Sequence, residues 1–529
     1  MSPPAIDHES PQGQLFDLAG RTVLVMGLGE SGQAMARWAA SRGAALRLAD
    51  TRAADDPALA GVPALQVQLD QAPLLCGCFD EAWLHEVDLI AWSPGLSLEL
   101  GDSAAFAAQA RERGIAIAGE LDLFVHALAM LAETGYRPTL IGITGTNGKT
   151  TTTALAAHLF AACGRTVRAA GNIGPSLLAA LSEALATDSL PEIWVLELSS
   201  FQLAASRGFE PHAATILNLT DDHLDWHADR ASYAAAKRRI HGGHAWVVSN
   251  RDDPATDAPP EHPAPKAAGP RGSKRRAAAP LTRRSSSFGL DAPRAPGDFG
   301  IVQESGLAWL AMAEPEDDLA PRMRGESTPL VIKRLMPAEA LTLVGRHNQA
   351  NCLAAFALGV AIGLPLAPML RAVRDFVAGA HRCETVAILG EVRFINDSKG
   401  TNVGASVAAL DGMEPGCVLI AGGVGKGQDF APLARAAARR SARVVLIGRD
   451  AQAIAQALSE EGVGSEYCER LDQAVRRAQA LARPGGAVLL SPACASFDMF
   501  RGYADRGEAF RRAVRDLADA QGQPLELAC

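Results

Sequence analysis

Short apolar runs recur along the chain, and glycine or polar residues follow most of them. Such runs are typical of buried strands in a parallel sheet, and the apolar-periodic stretches between them are typical of helices. The pattern therefore predicts an α/β protein. Strands are predicted at Thr22 to Met26, Ala45 to Ala49, Val87 to Ala91, Thr139 to Ile143, Ile193 to Leu196, Ala213 to Leu219, Val392 to Ile395, Cys417 to Ala421, Val444 to Ile447 and Ala487 to Leu490.

The order of these elements divides the 529 residues into three predicted units, at 1–117, 118–379 and 380–529. The first unit begins with a strand, a glycine turn and the helix Gln33 to Ser41, which is a Rossmann-like pattern. The second begins with the helix Glu120 to Ala132 and a strand that leads into a second glycine-rich loop. Ligands of open α/β sheets collect outside the carboxyl ends of the strands. The active site is therefore predicted in the cleft where the units meet.

Between about Pro254 and Ser287 the composition changes to Pro, Ala, Ser and basic residues, including Lys274 to Arg276. Such a composition cannot bury a core, so it predicts a mobile surface insertion within the second unit. A solvated linker is the favoured interpretation, and a segment that binds nucleic acid or a partner protein is the alternative.

The bulk composition favours small-molecule chemistry. The net charge of -9 gives no general attraction to nucleic acid or anionic lipid. The nine cysteines contain no CxxC pair and indicate neither a disulfide framework nor a zinc cluster. The N-terminus lacks the order of a signal peptide, and the longest apolar run, around Leu121 to Leu131, is too short to span a bilayer. We therefore expect a soluble cytoplasmic protein.

The segment Gly142-Ile-Thr-Gly-Thr-Asn-Gly-Lys-Thr150 predicts a phosphate-binding loop. A strand leads in, glycines let backbone amides point inward, and a helix N-terminus follows. Lys149 is expected to reach the β- and γ-phosphates of a nucleotide and Thr150 to hold Mg²⁺. The strict P-loop pattern has glycine five residues before Gly148, where this chain has Ile143. This departure indicates a variant P-loop family.

Two other predicted strand ends carry acidic or imidazole side chains. Glu197 lies where a second metal-binding acid is expected, and His223 follows the next strand beside Asp222. Each residue alone has an ordinary interpretation, as a helix cap or a loop histidine. Their position beside a phosphate loop favours a functional role, because Mg²⁺ prefers oxygen ligands and needs few protein groups.

The segment Gly27-Leu-Gly-Glu-Ser-Gly32, with Asp50 downstream, resembles a dinucleotide-binding fingerprint in which the acid holds a ribose hydroxyl. A nicotinamide dehydrogenase is one interpretation. The phosphate loop disfavours it, since hydride transfer needs no ATP. The same geometry could hold another nucleotide diphosphate.

Further motifs accompany these segments in a fixed order along the chain. They are GLGESG from Gly27, Asp50-Thr51-Arg52, Ser93-Pro-Gly95, GTNGKTT from Gly145, Gly171-Asn-Ile-Gly174, Glu197-Leu-Ser-Ser-Phe-Gln202, Asp222-His223, Gly345-Arg-His-Asn-Gln-Ala-Asn351, His381-Arg382, Asn396-Asp-Ser-Lys-Gly-Thr-Asn402, Gly422-Gly-Val-Gly-Lys426 and Ser491-Pro-Ala-Cys-Ala-Ser496. In type and order these motifs are similar to those of the Mur ligase family, which the chain resembles over nearly its whole length.

The resemblance implies an ATP-dependent ligase that adds D-glutamate to UDP-N-acetylmuramoyl-L-alanine through an acyl phosphate, in the cytoplasmic synthesis of peptidoglycan precursors. It implies an N-terminal Rossmann-like UDP-binding domain, a central P-loop ATPase-like domain and a C-terminal Rossmann-like domain that binds the amino acid. ATP and Mg²⁺ are the implied cofactors, and we expect a monomer without nucleic-acid partners.

The resemblance also implies a role for individual residues. The UDP-substrate would contact Ser31, Asp50, Thr51, Arg52, Gly95, Asn172 and Gln202. ATP would contact Gly145, Thr146, Asn147, Gly148, Lys149, Thr150, Thr151, Asn351, Arg382 and Asp397. D-glutamate would contact Thr401, Lys426, Ser496 and Tyr503. The implied catalytic residues are Lys149, Glu197, His223 and Lys237, and the implied metal ligands are Thr150, Glu197, His223 and a carbamylated Lys237.

Some features leave alternatives open. Tyr503 stands where the family carries Phe, and His223 could serve as a base or as a metal ligand. Related ligases that add diaminopimelate carry a DNPR-type motif, which this sequence lacks. A sensor that binds nucleotide without turnover is a further alternative. The intact set of Lys149, Glu197, His223 and Lys237 disfavours it.

Overall fold

Three β-sheets organise the chain. The structure is a computed structural model, and it describes residues 17–223, 225–257, 284–316, 329–343, 345–377 and 379–523. Each sheet lies in a different part of the sequence, as the strand pattern predicts. None of the described helices is both long and apolar enough to cross a membrane.

The first sheet has five parallel strands in the order β3-β2-β1-β4-β5. The strands are Thr22–Met26 (β1), Ala45–Asp50 (β2), Leu74–Cys76 (β3), Leu89–Trp92 (β4) and Ala116–Gly119 (β5). The helices are Glu30–Ser41 (α1), Val62–Gln68 (α2) and Gly101–Glu112 (α3). Apolar side chains from both faces of this sheet are buried, which explains why its strands are continuous apolar runs. The strand predicted at Val87 to Ala91 corresponds to β4, which begins at Leu89 and ends at Trp92.

Gly32 allows α1 to begin directly against the loop after β1. A Cβ atom on Gly32 would lie 1.8 Å from the carbonyl oxygen of Gly27. We therefore expect Gly32→Ala to lower the free energy of unfolding by at least about 2 kcal/mol, since overpacking moves the backbone. Denaturant unfolding monitored by circular dichroism measures this change.

Gly29 provides the matched control for Gly32. It precedes α1 with an ordinary φ of -69°, and a Cβ atom there would meet nothing within 4 Å. Gly29→Ala should cost at most about 1 kcal/mol, through a poorer helix N-cap. Equal stability of the two variants would contradict the packing argument.

The second sheet has nine strands in the order β14-β13-β12-β11-β10-β9-β6-β8-β7. The strands are Thr139–Thr144 (β6), Val167–Gly171 (β7), Ile193–Glu197 (β8), Ala213–Ile216 (β9), Trp246–Asn250 (β10), Ser285–Phe288 (β11), Phe299–Glu304 (β12), Leu307–Pro315 (β13) and Leu330–Pro337 (β14). The helices are Glu120–Glu133 (α4), Lys149–Ala162 (α5), Leu177–Ala186 (α6), Ser200–Ala205 (α7), Arg230–Arg238 (α8), Arg346–Ala361 (α9) and Leu366–Ala372 (α10). Strands β6 to β12 are parallel, and β13 and β14 extend the sheet as antiparallel strands.

The structure corrects the bounds of the insertion predicted near residues 254–287. Pro254–Thr256 form a 3₁₀ turn, and Ser285–Phe288 form β11, which pairs in parallel with β10. Residues 258–283, which include the basic run Lys274 to Arg276, lie outside the described residues. The predicted strand Ala213 to Leu219 is likewise shorter, since β9 ends at Ile216 and the polar segment of the site begins there.

The third sheet has six strands in the order β15-β16-β20-β17-β18-β19. The strands are Glu384–Leu389 (β15), Val392–Asn396 (β16), Val418–Gly422 (β17), Arg443–Ile447 (β18), Ser465–Tyr467 (β19) and Ala487–Leu490 (β20). The helices are Val403–Asp411 (α11), Ala431–Arg439 (α12), Ala451–Glu460 (α13), Leu471–Leu481 (α14) and Tyr503–Gln521 (α15). Only β15 is antiparallel to its neighbour. Helices on both faces bury two apolar clusters, as in a Rossmann-like unit.

Candidate active site

Adjacent strands of the second sheet deliver the predicted site residues to one edge. The phosphate loop follows β6, and Glu197 is the last residue of β8. Asn172 follows β7, and His223 lies beyond β9. Since β9, β6, β8 and β7 are neighbours in that order, their carboxyl ends bring these residues together.

The third sheet presents its own strand ends in the same way. Asp397 follows β16, Ser491 follows β20, and the loop to Lys426 follows β17. These three strands are also neighbours. A cleft of about 810 Å³ lies between the two sets of strand ends, lined by residues from the second and third units. The cleft thus lies between the second and third units, and the described residues of the first unit do not line it.

The phosphate loop has the backbone that the sequence predicts. Gly148 precedes α5 in the left-handed region, with φ +82°, where a side chain is strained. A Cβ atom there would also lie 2.6 Å from Oδ1 of Asn351, which therefore packs against the loop from α9. Lys149 Nζ donates to the carbonyl oxygens of Gly145 and Thr146, at 2.9 and 2.8 Å. Burial lowers the pKa of Lys149, and the nearby Glu197 carboxylate acts in the opposite direction.

Lys237 lies beneath this loop and is 2% exposed. Its Nζ donates to the Gly145 carbonyl oxygen at 2.8 Å and to Thr144 Oγ1 at 3.3 Å, and it lies 4.8 Å from the ring centroid of Tyr233. Burial, together with the charge of Lys149, holds the pKa of Lys237 well below its usual value. The structure therefore favours a neutral amine, which is the form that can react with CO₂.

Glu197 is 1% exposed and has one oxygen available for a ligand. Oε1 accepts a hydrogen bond from Nδ2 of Asn172 at 2.8 Å. Oε2 is buried and has no hydrogen-bond partner among the described residues. A buried carboxylate oxygen without a donor is costly unless a cation binds it, so this atom fits a metal ligand.

His223 lies in a strained segment beside the cleft, with φ +56°. Its Nε2 is 3.5 Å from Oδ2 of Asp222, and its ring packs edge-on against Phe201 at 4.7 Å. Burial lowers the pKa of His223, and Asp222 acts in the opposite direction. The lowered pKa favours the neutral imidazole, which can accept a proton or bind a metal.

The loop after His223 is held against the first unit. Trp226 Nε1 donates to the carbonyl oxygen of Pro94 at 3.1 Å, and Ser97 Oγ donates to the Trp226 carbonyl oxygen at 2.6 Å. Trp226 also stacks on Phe201 at 4.6 Å. These contacts link the strand end that carries Gly95 to the histidine of the cleft.

Asp397 and Arg382, for which contacts with ATP stay predictions, line the cleft from the third unit. Burial raises the pKa of Asp397 to about 6, although Ser491 Oγ donates to its Oδ2 at 2.7 Å. The Cys383 amide donates to its Oδ1 at 3.2 Å. The carboxylate is therefore fixed in orientation before any ligand binds.

Lys399 is a cleft residue for which the sequence predicted no individual role. It lines the cleft, and its Nζ lies 3.8 Å from the ring centroid of Tyr503. Burial, and then the charge of Arg382, lowers the pKa of Lys399 to about 8. The available signal was its position within the motif between Asp397 and Thr401, both of which are candidates.

The residues predicted to bind the amino acid lie on neighbouring loops. Thr401, Lys426 and Tyr503 line the cleft. Ser496 is buried and is not part of the lining, although a backbone bridge between Val424 and Ala495 brings its loop beside that of Lys426. Gln202 is also buried outside the lining, where its Oε1 accepts from Ser199 N as a helix cap. Roles for Ser496 and Gln202 in binding stay predictions.

Asp50 in the first unit already has donors on both carboxylate oxygens. Leu28 N donates at 2.7 Å, and Arg52 donates through Nε and Nη2 at 2.8 and 2.7 Å. Burial raises the pKa of Asp50, but these hydrogen bonds outweigh it and hold the pKa below the usual value. The acid thus fixes Arg52 and the glycine loop, which disfavours the ribose-binding role expected in a nicotinamide dehydrogenase. Ser31 lies in the first turn of α1, Thr51 follows β2, and Gly95 follows β4.

A phosphate loop, a buried acid with a free oxygen and the cleft-lining cations Arg382, Lys399 and Lys426 are typical of an enzyme that uses a nucleoside triphosphate. The sequence matches the Mur ligase MurD-like N-terminal domain at residues 21–119, the Mur ligase middle domain at 143–267 and the Mur ligase glutamate ligase domain at 381–494. The chain belongs to the Mur ligase family.

Curated relatives match almost the whole chain. A UDP-N-acetylmuramoylalanine--D-glutamate ligase from Burkholderia mallei (strain SAVP1) is 51% identical over 515 residues, which are 95% of this chain and 98% of that protein. The ligase of the same name from Burkholderia thailandensis has the same identity and coverage.

Solved structures share the three-unit fold. The UDP-N-acetylmuramate-alanine ligase MurC from Thermotoga maritima has a TM-score of 0.52 and 18% identity, over 94% of this chain and 99% of that one. A pseudomurein peptide ligase type C from Methanothermus fervidus has a TM-score of 0.52 and 16% identity, over 94% and 100%. At these identities the likeness concerns the fold alone.

Proposed function

We propose that this chain joins D-glutamate to UDP-N-acetylmuramoyl-L-alanine, with ATP as the energy source. One observation carries the proposal: a phosphate loop on the second unit and a cationic pocket on the third face each other across one cleft. The curated relatives with this activity match over nearly their full length, which supports the choice of substrates.

The two walls of the cleft suit a reaction that activates a carboxylate. At neutral pH a carboxylate is a poor electrophile without a leaving group. Transfer of the γ-phosphoryl group of ATP to the carboxylate of the L-alanine residue gives an acyl phosphate. The amine of D-glutamate then attacks the carbonyl carbon, and inorganic phosphate leaves as the amide forms.

Cations from both units line the cleft in which the phosphoryl group would be transferred. Lys149 lies on the loop itself, and Lys399 and Arg382 approach from the third unit. Fixed positive groups stabilise the charge that gathers on the phosphoryl oxygens in the transition state. Because two of the three come from the third unit, phosphoryl transfer depends on how that unit sits on the loop.

The residues of the second unit fit a magnesium ion. Glu197 offers its unpartnered Oε2, and Thr150 lies in the first turn of the helix after the loop. His223 and a carbamylated Lys237 complete the proposed ligands. Among the described residues no three acidic, histidine or cysteine side chains form a ready-made metal cluster. That suits Mg²⁺, which keeps waters and phosphate oxygens as ligands and supplies charge neutralisation when bound.

The third unit supplies groups of the right charge for D-glutamate. Lys426 and Thr401 line the cleft, and an ammonium with a hydroxyl suits the side-chain carboxylate of the amino acid. The attacking amine must be neutral. His223, whose own pKa is lowered, can take its proton when it is not bound to a metal.

The UDP-substrate is proposed to bind the first unit, with Arg52 and the glycine loop near the diphosphate and Asn172 near the muramoyl-alanine arm. We also propose the division 1–117, 118–379 and 380–529 as the three domains, with a cytoplasmic location and a monomeric state. Ser31, Thr51 and Gly95 remain candidates on this surface.

An omission experiment tests the proposed function. Phosphate release is measured with ATP, Mg²⁺, UDP-N-acetylmuramoyl-L-alanine and D-glutamate together, and then with each one left out. Release should require all four, and mass spectrometry should show the amide product. Steady release without D-glutamate would contradict a ligase and would favour a nucleotide-binding sensor with ATPase activity.

The lowered pKa of Lys399 predicts that activity depends on pH in the alkaline range. Its pKa of about 8 means that the free enzyme loses this cation as the pH rises through about 8. The value of kcat/KM for ATP reports the free enzyme, so it should fall on the alkaline side with an apparent pKa near 8. In Lys399→Arg this alkaline limb should move to higher pH, because a guanidinium stays charged. An unchanged limb in Lys399→Arg would rule Lys399 out as its source.

A further inference from the structure

The side chain of Asn402 connects the third unit to the phosphate loop. Its Oδ1 accepts a hydrogen bond from Ala405 N at 2.8 Å and so caps the N-terminus of α11. Its Nδ2 donates to Asn147 Oδ1 in the phosphate loop at 3.0 Å and to Asp222 Oδ2 at 3.2 Å. The residue is 6% exposed, so these bonds form away from bulk water. One amide thus joins a helix end in one unit to two site segments in the other.

Both acceptors are themselves fixed to the site. The backbone amide of Asn147 donates to Asn218 Oδ1 at 2.8 Å, and the backbone carbonyl oxygen of Asn147 accepts from Asn218 Nδ2 at 3.1 Å. Asp222 Oδ1 accepts from the amide of His223 at 3.0 Å. The contacts of Asn402 therefore locate the third unit relative to both the phosphate loop and the histidine.

The first turn of α11 can reach the loop because Gly404 has no side chain. A Cβ atom on Gly404 would lie 2.9 Å from Thr220 Oγ1 and 3.2 Å from Asn147 Nδ2. At the C-cap of the same helix, a Cβ atom on Gly412 would lie 3.1 Å from the Cα of Gly345. The backbone of α11 thus approaches the second unit at two points, and Asn402 supplies the directional contact at one of them.

We propose that Asn402 is a positioning residue that sets the third unit on the phosphate loop in the geometry needed for amine attack. It acts through Asn147 and Asp222. This inference rests on the proposed ligase function, because the acyl phosphate forms on the second unit while the attacking amine is held by the third. A misplacement of about 1 Å between reacting groups can cost about a hundredfold in rate.

Asn402→Asp separates this role from helix capping. Aspartate caps a helix as well as asparagine does, so α11 keeps its N-cap. The side-chain amide of Asn147 can turn and donate a hydrogen bond to the new carboxylate. Asp222 has no donor to offer, so two carboxylates then face each other. We expect kcat/KM for D-glutamate to fall at least about tenfold, because juxtaposed like charges oppose docking. The melting temperature and the Kd of the UDP-substrate should stay at wild-type values.

A second change should restore the contact. Asp222→Asn in the Asn402→Asp background places an amide opposite the carboxylate and reverses donor and acceptor. The kcat/KM for D-glutamate of the double variant should be at least about fivefold higher than that of Asn402→Asp. A double-mutant cycle that includes Asp222→Asn alone records this gain as coupling. Wild-type activity in Asn402→Asp, or no recovery in the double variant, would overturn the proposal.

Gly404→Ala tests the same docking without any change of charge. The added methyl group meets Thr220 and Asn147, so kcat/KM for D-glutamate should again fall, with the Kd of the UDP-substrate unchanged. Wild-type kcat/KM in this variant would also overturn the proposal. If the wild-type protein forms no amide from the three substrates, the proposed function fails instead, so the two failures are distinguishable.

Discussion

Lys149→Ala is expected to lower kcat about a thousandfold or more, because it removes a fixed cation from the phosphoryl group in transfer. The Nζ atom of Lys149 also donates to two carbonyl oxygens of its own loop, so the ammonium is already oriented. The Kd of the UDP-substrate should change by less than about threefold, since binding groups on separate units act independently. Phosphate release and isothermal titration calorimetry measure the two quantities.

Lys333→Ala is the matched control for this prediction. Lys333 lies on β14, is exposed and pairs with Glu314 on β13. Its replacement removes the same charge from the second unit without touching the cleft and should leave kcat at the wild-type value. If Lys149→Ala abolished UDP-substrate binding as well, the proposed division between UDP and ATP sites would be wrong.

Lys237→Ala is expected to lower kcat by a similar factor, again about a thousandfold, because an anionic metal ligand would be lost. The buried Lys237 amine has a pKa well below its usual value, so its nitrogen can attack the carbon of CO₂. A nitrogen–carbon bond forms, a C=O electron pair moves to oxygen, and one proton leaves to solvent. A neutral buried amine thereby becomes an anion that a metal can neutralise.

Carbon-13 NMR in labelled bicarbonate measures this modification directly. The wild-type protein and Lys149→Ala should show a carbamate resonance, and Lys237→Ala should not. Acetate or propionate should raise the kcat of Lys237→Ala at least about tenfold, since a small carboxylate can enter the cavity and replace the anion. Full activity in Lys237→Arg, or a wild-type protein without the resonance, would exclude carbamylation.

The buried strands could be predicted from the sequence because parallel strands covered on both faces are continuous apolar runs. Thr22–Met26 and Ile193–Glu197 are examples. Strand β11 could not be predicted, since Ser285–Ser287 read as part of a polar insertion. Two of its serines have partners outside the predicted insertion: Trp246 Nε1 donates to Ser286 Oγ at 3.1 Å, and Ser287 Oγ donates to Asp298 at 2.6 Å. Tertiary pairing overrides propensity at such strands.

The phosphate loop was predictable for a different reason. Its signal is local, a strand followed by glycines, Lys149 and a helix. The role of Asn402 has no such local signal, because its side-chain contacts cross between units. Asn402 bonds Asp222, which lies 180 residues earlier in the chain. Neither spacing nor periodicity reports a contact of that kind, and only the packing of α11 on the second unit reveals it.

The choice of amino acid tests the central claim most directly. Phosphate release is measured with ATP, Mg²⁺ and UDP-N-acetylmuramoyl-L-alanine, in the presence of D-glutamate, L-glutamate or meso-diaminopimelate. The cleft with Lys426 and Thr401 on its third-unit wall, together with the curated relatives, predicts turnover with D-glutamate that far exceeds turnover with the other two. Equal turnover with L-glutamate or with meso-diaminopimelate would contradict the account.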